Sequence, residues 1–317
     1  MIVKIHAIMK KGGLFIAIVF VLLSGSVTIF AQEAVPQTAP PPAIALQDME
    51  KFHKMEDSMV LTADSMYEAF LPDTRIGYSE RLVRQLVRTL KIPNSYLYRF
   101  DTLGKMINII YADDNSFRMF NWGVEPNKIS KRYYGAIQLP QQQLKLIGLN
   151  DYSEQIEKGA EDSILTGGKW FGALYYRIMA HEVRGRKVYT LFGFNSGNPL
   201  VNRKVLDAMT FDDKGVTFGA PIFGVLSRNI PQSRINRFIL EYKKTVQASM
   251  NWDTEKQMIV FDKLVSEIND PHRMYTYVPS GQYDGFNWEN DTWTYKKDLI
   301  PVQILKDGEA PSDSPAK

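Results

Sequence analysis

The chain has 317 residues, 38 of them Lys or Arg and 35 Asp or Glu, with a net charge of +3 and no cysteine. The lack of cysteine excludes a disulfide framework, thiol chemistry and a lipid-modified N-terminal cysteine. Three lysines and no acid fall within residues 1–31, so the remainder carries 35 bases against 35 acids, and the net basic footprint expected of a nucleic-acid binder is missing.

Residues 1–31 have the three parts of a secretory signal. Lys4, Lys10 and Lys11 supply the positive end, Leu14 to Leu23 is an unbroken apolar run, and small residues precede a cleavage site placed after Ala31. The run is shorter than the about 20 residues a membrane helix needs. An uncleaved N-terminal anchor is the alternative, because apolar residues resume at Val27, Ile29 and Phe30. Export to the periplasm or beyond is expected, with no integral membrane segment once the signal is removed. Residues 32–45 form a Pro-rich linker around Pro40, Pro41 and Pro42. Residues 308–317 read as a disordered tail. Between them, the pattern predicts a helical hairpin over 46–93 and an antiparallel β-rich domain over 94–307.

The hairpin begins with a stripe at helical spacing: Met49, Phe52, Met59, Val60, Ala63, Met66 and Phe70. Pro72 is expected to stop it. A second helix is predicted from Ser79, as N-cap, to Lys91, with Leu82, Val83, Leu86, Val87 and Leu90 inward. Arg81, Arg84 and Arg88 on its other side read as a solvated face.

After Asn94 the period changes to alternation. Strands are predicted at Met106–Tyr111, Phe117–Gly123 and Tyr134–Leu139, while Gln141–Leu149 is ambiguous between helix and strand. The strongest signal is a long β-hairpin within Gly168–Gly197, two aromatic and branched runs joined by a polar tip containing Gly185. Asn198-Pro199 predicts a short helix through Met209. Further strands are expected at Val216–Phe223, Phe238–Lys243, Val246–Trp252, Met258–Val265, Tyr283–Trp288 and Thr292–Lys297. The fold class is therefore α+β, mostly β: an antiparallel meander, as sandwich or open barrel, with an N-terminal helical hairpin. A propeller fits less well, since the helical segments take up too much length.

Catalytic patterns fail on spacing. His181-Glu182 begins like a zinc-protease motif, but no second histidine follows. Ser196 sits one place too late for a nucleophile elbow. Thr166-Gly167-Gly168-Lys169 lacks the frame of a phosphate loop. No cofactor or metal motif is present, and no catalytic residue is assigned. Two binding candidates remain. Trp288 and Trp293 flank a short turn rich in Asn and Asp, where flat rings can grip a sugar or a protein. Arg184 and Arg186 make the hairpin tip basic. The expected function is a non-enzymatic binding or scaffold protein of the cell envelope, for a partner protein or glycan. The alternative is a hydrolase of envelope or environmental polymers using two carboxylates from among Glu182, Glu241, Asp262 and Asp284.

Four segments in order, Trp170–Tyr176, Tyr189–Phe194, Phe218–Phe223 and Tyr283–Trp288, together with the Phe30-Ala31-Gln32 context, resemble a family of uncharacterised exported proteins of Gram-negative bacteria. The resemblance covers about residues 50–300. It implies export and carries no activity, cofactor or site residue.

Overall fold

Helix α1 (Leu46–Glu68) turns Phe52, Met59, Ala63 and Met66 inward at spacings of seven, four and three, and all are buried. In the computed structural model the described residues are 43–299, apart from 128, 157–158, 214 and 226–232. The signal segment, nearly all of the linker and the C-terminal tail lie outside them. Helix α2 (Pro72–Leu90) starts earlier than the sequence pattern predicts. Pro72 does more than end the first helix: it occupies the first turn of the second, where its missing N–H costs nothing and its fixed φ suits the helix. Leu71 before it is extended, as a residue preceding proline prefers. Ser79 is consequently a mid-helix residue, buried, and it accepts a hydrogen bond from Trp122 Nε1 at 2.9 Å. No helix among the described residues is long and apolar enough to cross a membrane.

The rest is β-structure in three open sheets. The N-terminal sheet has the order β1 (Asn108–Tyr111), β2 (Arg118–Val124), β3 (Arg132–Gln138) and β4 (Leu146–Asn150), all antiparallel. The ambiguous segment 141–149 thus ends as a strand. The central sheet contains β5 (Leu165–Thr166), β6 (Leu174–Val183), β7 (Arg186–Asn195), β8 (Val201–Asp212) and β9 (Gly215–Phe218), in the order β5-β9-β8-β7-β6. The C-terminal sheet is built from β10 (Phe223–Val225), β11 (Ser233–Ile235), β13 (Met250–Asp253), β14 (Met258–Ser266), β15 (Tyr277–Glu289) and β16 (Thr292–Lys296). Strand β12 (Arg237–Lys243) pairs with β8 in the central sheet. Only β10 and β16 pair in parallel among the described strands. The chain is α+β, mostly β, with antiparallel sheets and an N-terminal helical pair.

Three hydrophobic cores order these elements in layers. The first joins α1 and α2 to one face of β2, through Phe120, Trp122 and Val124. The second lies between the N-terminal and central sheets, where Met119, Tyr133 and Ile137 meet Tyr175, Leu191 and Val205. The third lies between the central and C-terminal sheets, where Phe192, Leu206 and Ala208 meet Phe261, Phe286 and Trp293. The N-terminal and central sheets are thus covered on both faces. Every residue of β2 is buried, unlike the half-solvated strands usual in antiparallel sheets.

The same layering corrects the expectation of a helix over 198–209. Asn198 does cap a turn, accepting hydrogen bonds from the backbone of Leu200 and Val201 at 2.8 and 3.1 Å. From Val201 onward, however, the chain runs as the twelve-residue strand β8. Val205 and Met209 point into the second core, and Leu206 and Ala208 into the third. With apolar residues on both faces, a strand loses its two-residue period and imitates a helix.

The free edge of β6 is closed by side chains of the N-terminal sheet. Asp113 accepts the Ala180 N–H at 2.8 Å, Asn121 donates to the Ala173 carbonyl at 3.3 Å, and Asn108 donates to the Tyr175 carbonyl. Unpaired strand edges invite association with other chains, so this cover has a protective effect. Buried Arg118 closes the end of the first core without an acidic partner among the described residues. It donates to Gln138 Oε1, Tyr111 Oη and the carbonyls of Tyr98 and Ser95, and lies 5.0 and 4.9 Å from the Phe100 and Phe120 ring centres.

Candidate functional site

The β6–β7 hairpin and the β15–β16 hairpin meet through His181 and Thr190, which touch Trp288 and Trp293, while Arg184 and Arg186 line a pocket at the tip that neither ring borders. The first turn is Arg184-Gly185, with φ of 50° and 75°. Two successive positive φ values mark the tight hairpin turn whose twist matches the strands, and glycine takes the second without strain. The second turn, Asn290-Asp291, has φ of 50° and 60°. Its register sets Trp288 directly opposite Trp293, so both rings share one face of the sheet. That face looks inward, toward the central sheet.

Trp293 has no exposed surface. Its Nε1 donates to Thr190 Oγ1 on β7 at 2.8 Å, and its ring stands edge-on to Trp288 at 5.0 Å. A ring enclosed in this way fills the third core and presents no face to a ligand. Trp288 is half-buried and stacks on His181 of β6, with centroids 4.2 Å apart. Sequence reasoning misses His181 as a packing partner, since its spacing raises only the question of a metal ligand. Phe286 carries the available signal: two residues before Trp288, it marks this face as apolar and inward.

Burial pushes the His181 pKa down to about 4 from 6.5, and its Nε2 has no hydrogen-bond partner among the described residues. The folded state thus prefers the neutral ring, and the unfolded chain takes the proton first. Stability is complete above pH 6.5 and falls as pH drops from there toward 4. We expect a loss of about 2 kcal/mol, below the full value of the shift because the ring keeps some solvent contact. Urea denaturation across this range should show the slope flattened in His181→Phe. An unchanged slope would assign the effect to carboxylates.

At the hairpin tip, Arg184, Arg186 and Lys187 border an open pocket of ≈ 820 Å³ whose other walls include Tyr189, Phe211 and Asp212. Lys187 pairs with Asp114 at 2.6 Å, tying the tip to the β1–β2 loop. The Arg184 and Arg186 side chains are exposed and have no hydrogen bond or ion pair among the described residues.

The four carboxylates considered for hydrolysis do not converge. Glu182 is exposed opposite Lys187 on the hairpin. Glu241 is paired with Arg203 at 2.5 Å. Asp262 accepts the Ser249 N–H and hydroxyl at 2.5 and 2.8 Å, and Asp284 accepts from Tyr295 Oη and the Asp298 N–H at 2.5 and 2.9 Å. Phe261 lies opposite Asp284 in the register, and Asp262 opposite Tyr283. The two aspartates therefore project from opposite faces of the sheet. No group of three or more His, Asp or Glu among the described residues is placed to hold a metal ion.

No family model, curated protein or solved structure matches the chain.

Proposed function

We propose that this is an exported, non-enzymatic binding protein that holds an acidic partner surface or glycan at the tip of the β6–β7 hairpin. The observation that carries this reading is the pair of unpartnered guanidiniums, Arg184 and Arg186, bordering the ≈ 820 Å³ pocket. Arginines left without internal partners keep their full capacity for bidentate contacts to carboxylate, phosphate or sulfate. The hairpin that carries them is held by unbroken pairing from Arg177 to Val183, beyond a bulge at Tyr176, and by the Lys187–Asp114 ion pair, so little ordering cost attaches to binding. Export is supported by the charge and hydropathy pattern of residues 1–31 and by the family resemblance. The hydrolase alternative has no observation in its favour, because none of its four carboxylates faces another across a groove.

The test compares the protein with Arg184→Glu/Arg186→Glu on an array of acidic and neutral glycans and in crosslinking to envelope extracts. The expected result is a salt-sensitive partner that the charge-reversed variant loses while its melting temperature stays the same. Identical binding profiles for the two proteins would refute the tip as the site.

A further inference from the structure

At the opposite end of the central sheet, two pockets meet in a groove that has no role in the tip reading. One, of ≈ 200 Å³, is bordered by Tyr67, Arg75 and Gly123. The other, of ≈ 370 Å³, is bordered by Ser130, Phe194, Ser196, Asn202 and Lys244. Glu125 and Lys131 belong to both. The length of β7 separates this groove from the hairpin tip, about 30 Å at the rise of a strand.

The cations in the groove are held in place by the backbone. Gly123 has no side chain, and the stem of Lys131 occupies the space: a Cβ at that position would come within 2.6 Å of Lys131 Cε. The Lys131 ammonium has no hydrogen bond or ion pair among the described residues. Lys244 Nζ donates to the carbonyls of Ser196 and Asn198 at 2.7 and 3.0 Å, which leaves one of its three N–H groups unused. Burial and the nearby charge of Lys131 hold the Lys244 pKa below its ordinary value, with Glu125 opposing them. An anion placed between the two neighbouring ammoniums relieves their repulsion. Glu125 supplies only part of that relief, because its carboxylate also faces Arg75 at 3.5 Å.

The rest of the lining suits a sugar. Phe194 and Pro199 offer apolar surface, and Lys204 Nζ stands 4.8 Å above the Phe194 ring. Ser130 and Ser196 carry hydroxyls, that of Ser196 lying 3.4 Å from Tyr133 Oη. The Asn202 amide is anchored to the Lys244 carbonyl at 3.2 Å, and its Oδ1, buried at the wall, has no partner among the described residues. Apolar patches for ring C–H faces, hydroxyl and amide groups for sugar hydroxyls, and fixed ammoniums for carboxylates occur here together. A simple anion site would need only the last. We propose that this groove binds an acidic oligosaccharide, with uronate carboxylates on Lys131 and Lys244 and the sugar face on Phe194 and Pro199.

Isothermal titration of the purified protein at low salt with hexagalacturonate, cellohexaose and inorganic phosphate tests this. Hexagalacturonate should bind, the neutral hexasaccharide should bind at least about ten-fold more weakly, and phosphate should compete poorly. Lys131→Gln/Lys244→Gln should lose about ten-fold or more in affinity for hexagalacturonate. Gly123→Ala displaces the Lys131 stem without changing any charge, and it should weaken binding while retaining the salt dependence. Arg184→Glu/Arg186→Glu should leave this binding unchanged, which separates failure here from failure of the tip reading. Absence of hexagalacturonate binding would overturn the proposal. So would equal binding of cellohexaose, phosphate competing as well as the oligosaccharide, or loss of binding in the tip variant alone.

Discussion

Arg237→Leu is expected to destabilise the protein by about 3–5 kcal/mol, since it strands a buried charge. Asp207 on β8 and Arg237 on β12 have side chains with no exposure, and Arg237 Nε stands 2.9 Å from Asp207 Oδ2. The contact is an ion pair by distance without the alignment of a hydrogen bond: Arg237 Nε and Nη2 and Asp207 Oδ1 lack hydrogen-bond partners. Tyr175 Oη donates to Asp207 at 3.2 Å, and Arg237 Nη1 donates to the Ala160 carbonyl at 2.6 Å. Burial pushes the Asp207 carboxyl up, and the guanidinium works against it. Without Arg237, only the hydrogen bonds from Tyr175 and the Ala208 backbone oppose burial. The folded-state pKa of Asp207 then rises well above its unfolded value of about 3.9. A raised carboxyl makes the folded state more proton-hungry than the unfolded chain, so the cost grows as pH rises and is relieved on acidification. Urea denaturation at neutral and at mildly acidic pH should show a larger loss at neutral pH. Adding Asp207→Asn should recover much of it, since an amide keeps an acceptor for Tyr175 without the charge. A cost that is small, or equal at both pH values, would show that the Asp207 charge does not depend on Arg237.

That pair also shows what a sequence hides. Asp207 and Arg237 lie thirty positions apart, each in a stretch that reads as ordinary strand or helix, and only the β8–β12 pairing sets them opposite one another. Local features were legible. The α1 stripe follows from spacing as far as Met66, although Phe70, read as part of it, is exposed beyond the end of the helix, and the Gly185 turn follows from a single glycine between two aromatic strands. Features that depend on which layer covers which face were not. The strand β8 looks helical because both of its faces are apolar. Pro72 reads as a stop because a proline ends one helix and begins another by the same fixed φ. The candidate site divides along the same line. Arg184 is at the surface because it stands in the two-residue turn, and Arg186 because it begins β7 directly after that turn. The fate of Trp288 and Trp293 depends on a sheet more than a hundred residues away, through Thr190 and His181.

Trp293→Ala is expected to cost about 3–5 kcal/mol of stability, the range for removing a buried tryptophan. The ring packs against Trp288, His181 and Trp252, with centroids at 5.0, 5.1 and 6.1 Å. Its removal also takes the donor from Thr190 Oγ1, a buried hydroxyl. Trp293→Phe keeps most of the volume and should lose only about 1–2 kcal/mol, from the missing hydrogen bond and the smaller ring. Trp288→Ala should cost less than Trp293→Ala, because the Trp288 ring is half-buried and bonds to nothing through its indole nitrogen among the described residues. Its removal would open His181 to water and raise that residue's pKa toward 6.5, so the acid-dependent loss of stability should shrink in this variant. Thermal and urea unfolding of the three variants separates two roles that look alike in the sequence. Were Trp293 a ligand-gripping ring, its alanine variant would stay near wild-type stability and lose only binding. A loss of several kcal/mol with Trp293→Ala, alongside a milder and pH-sensitive loss with Trp288→Ala, would place both rings in the seam between the two sheets and leave the arginines of the neighbouring tip to meet the partner.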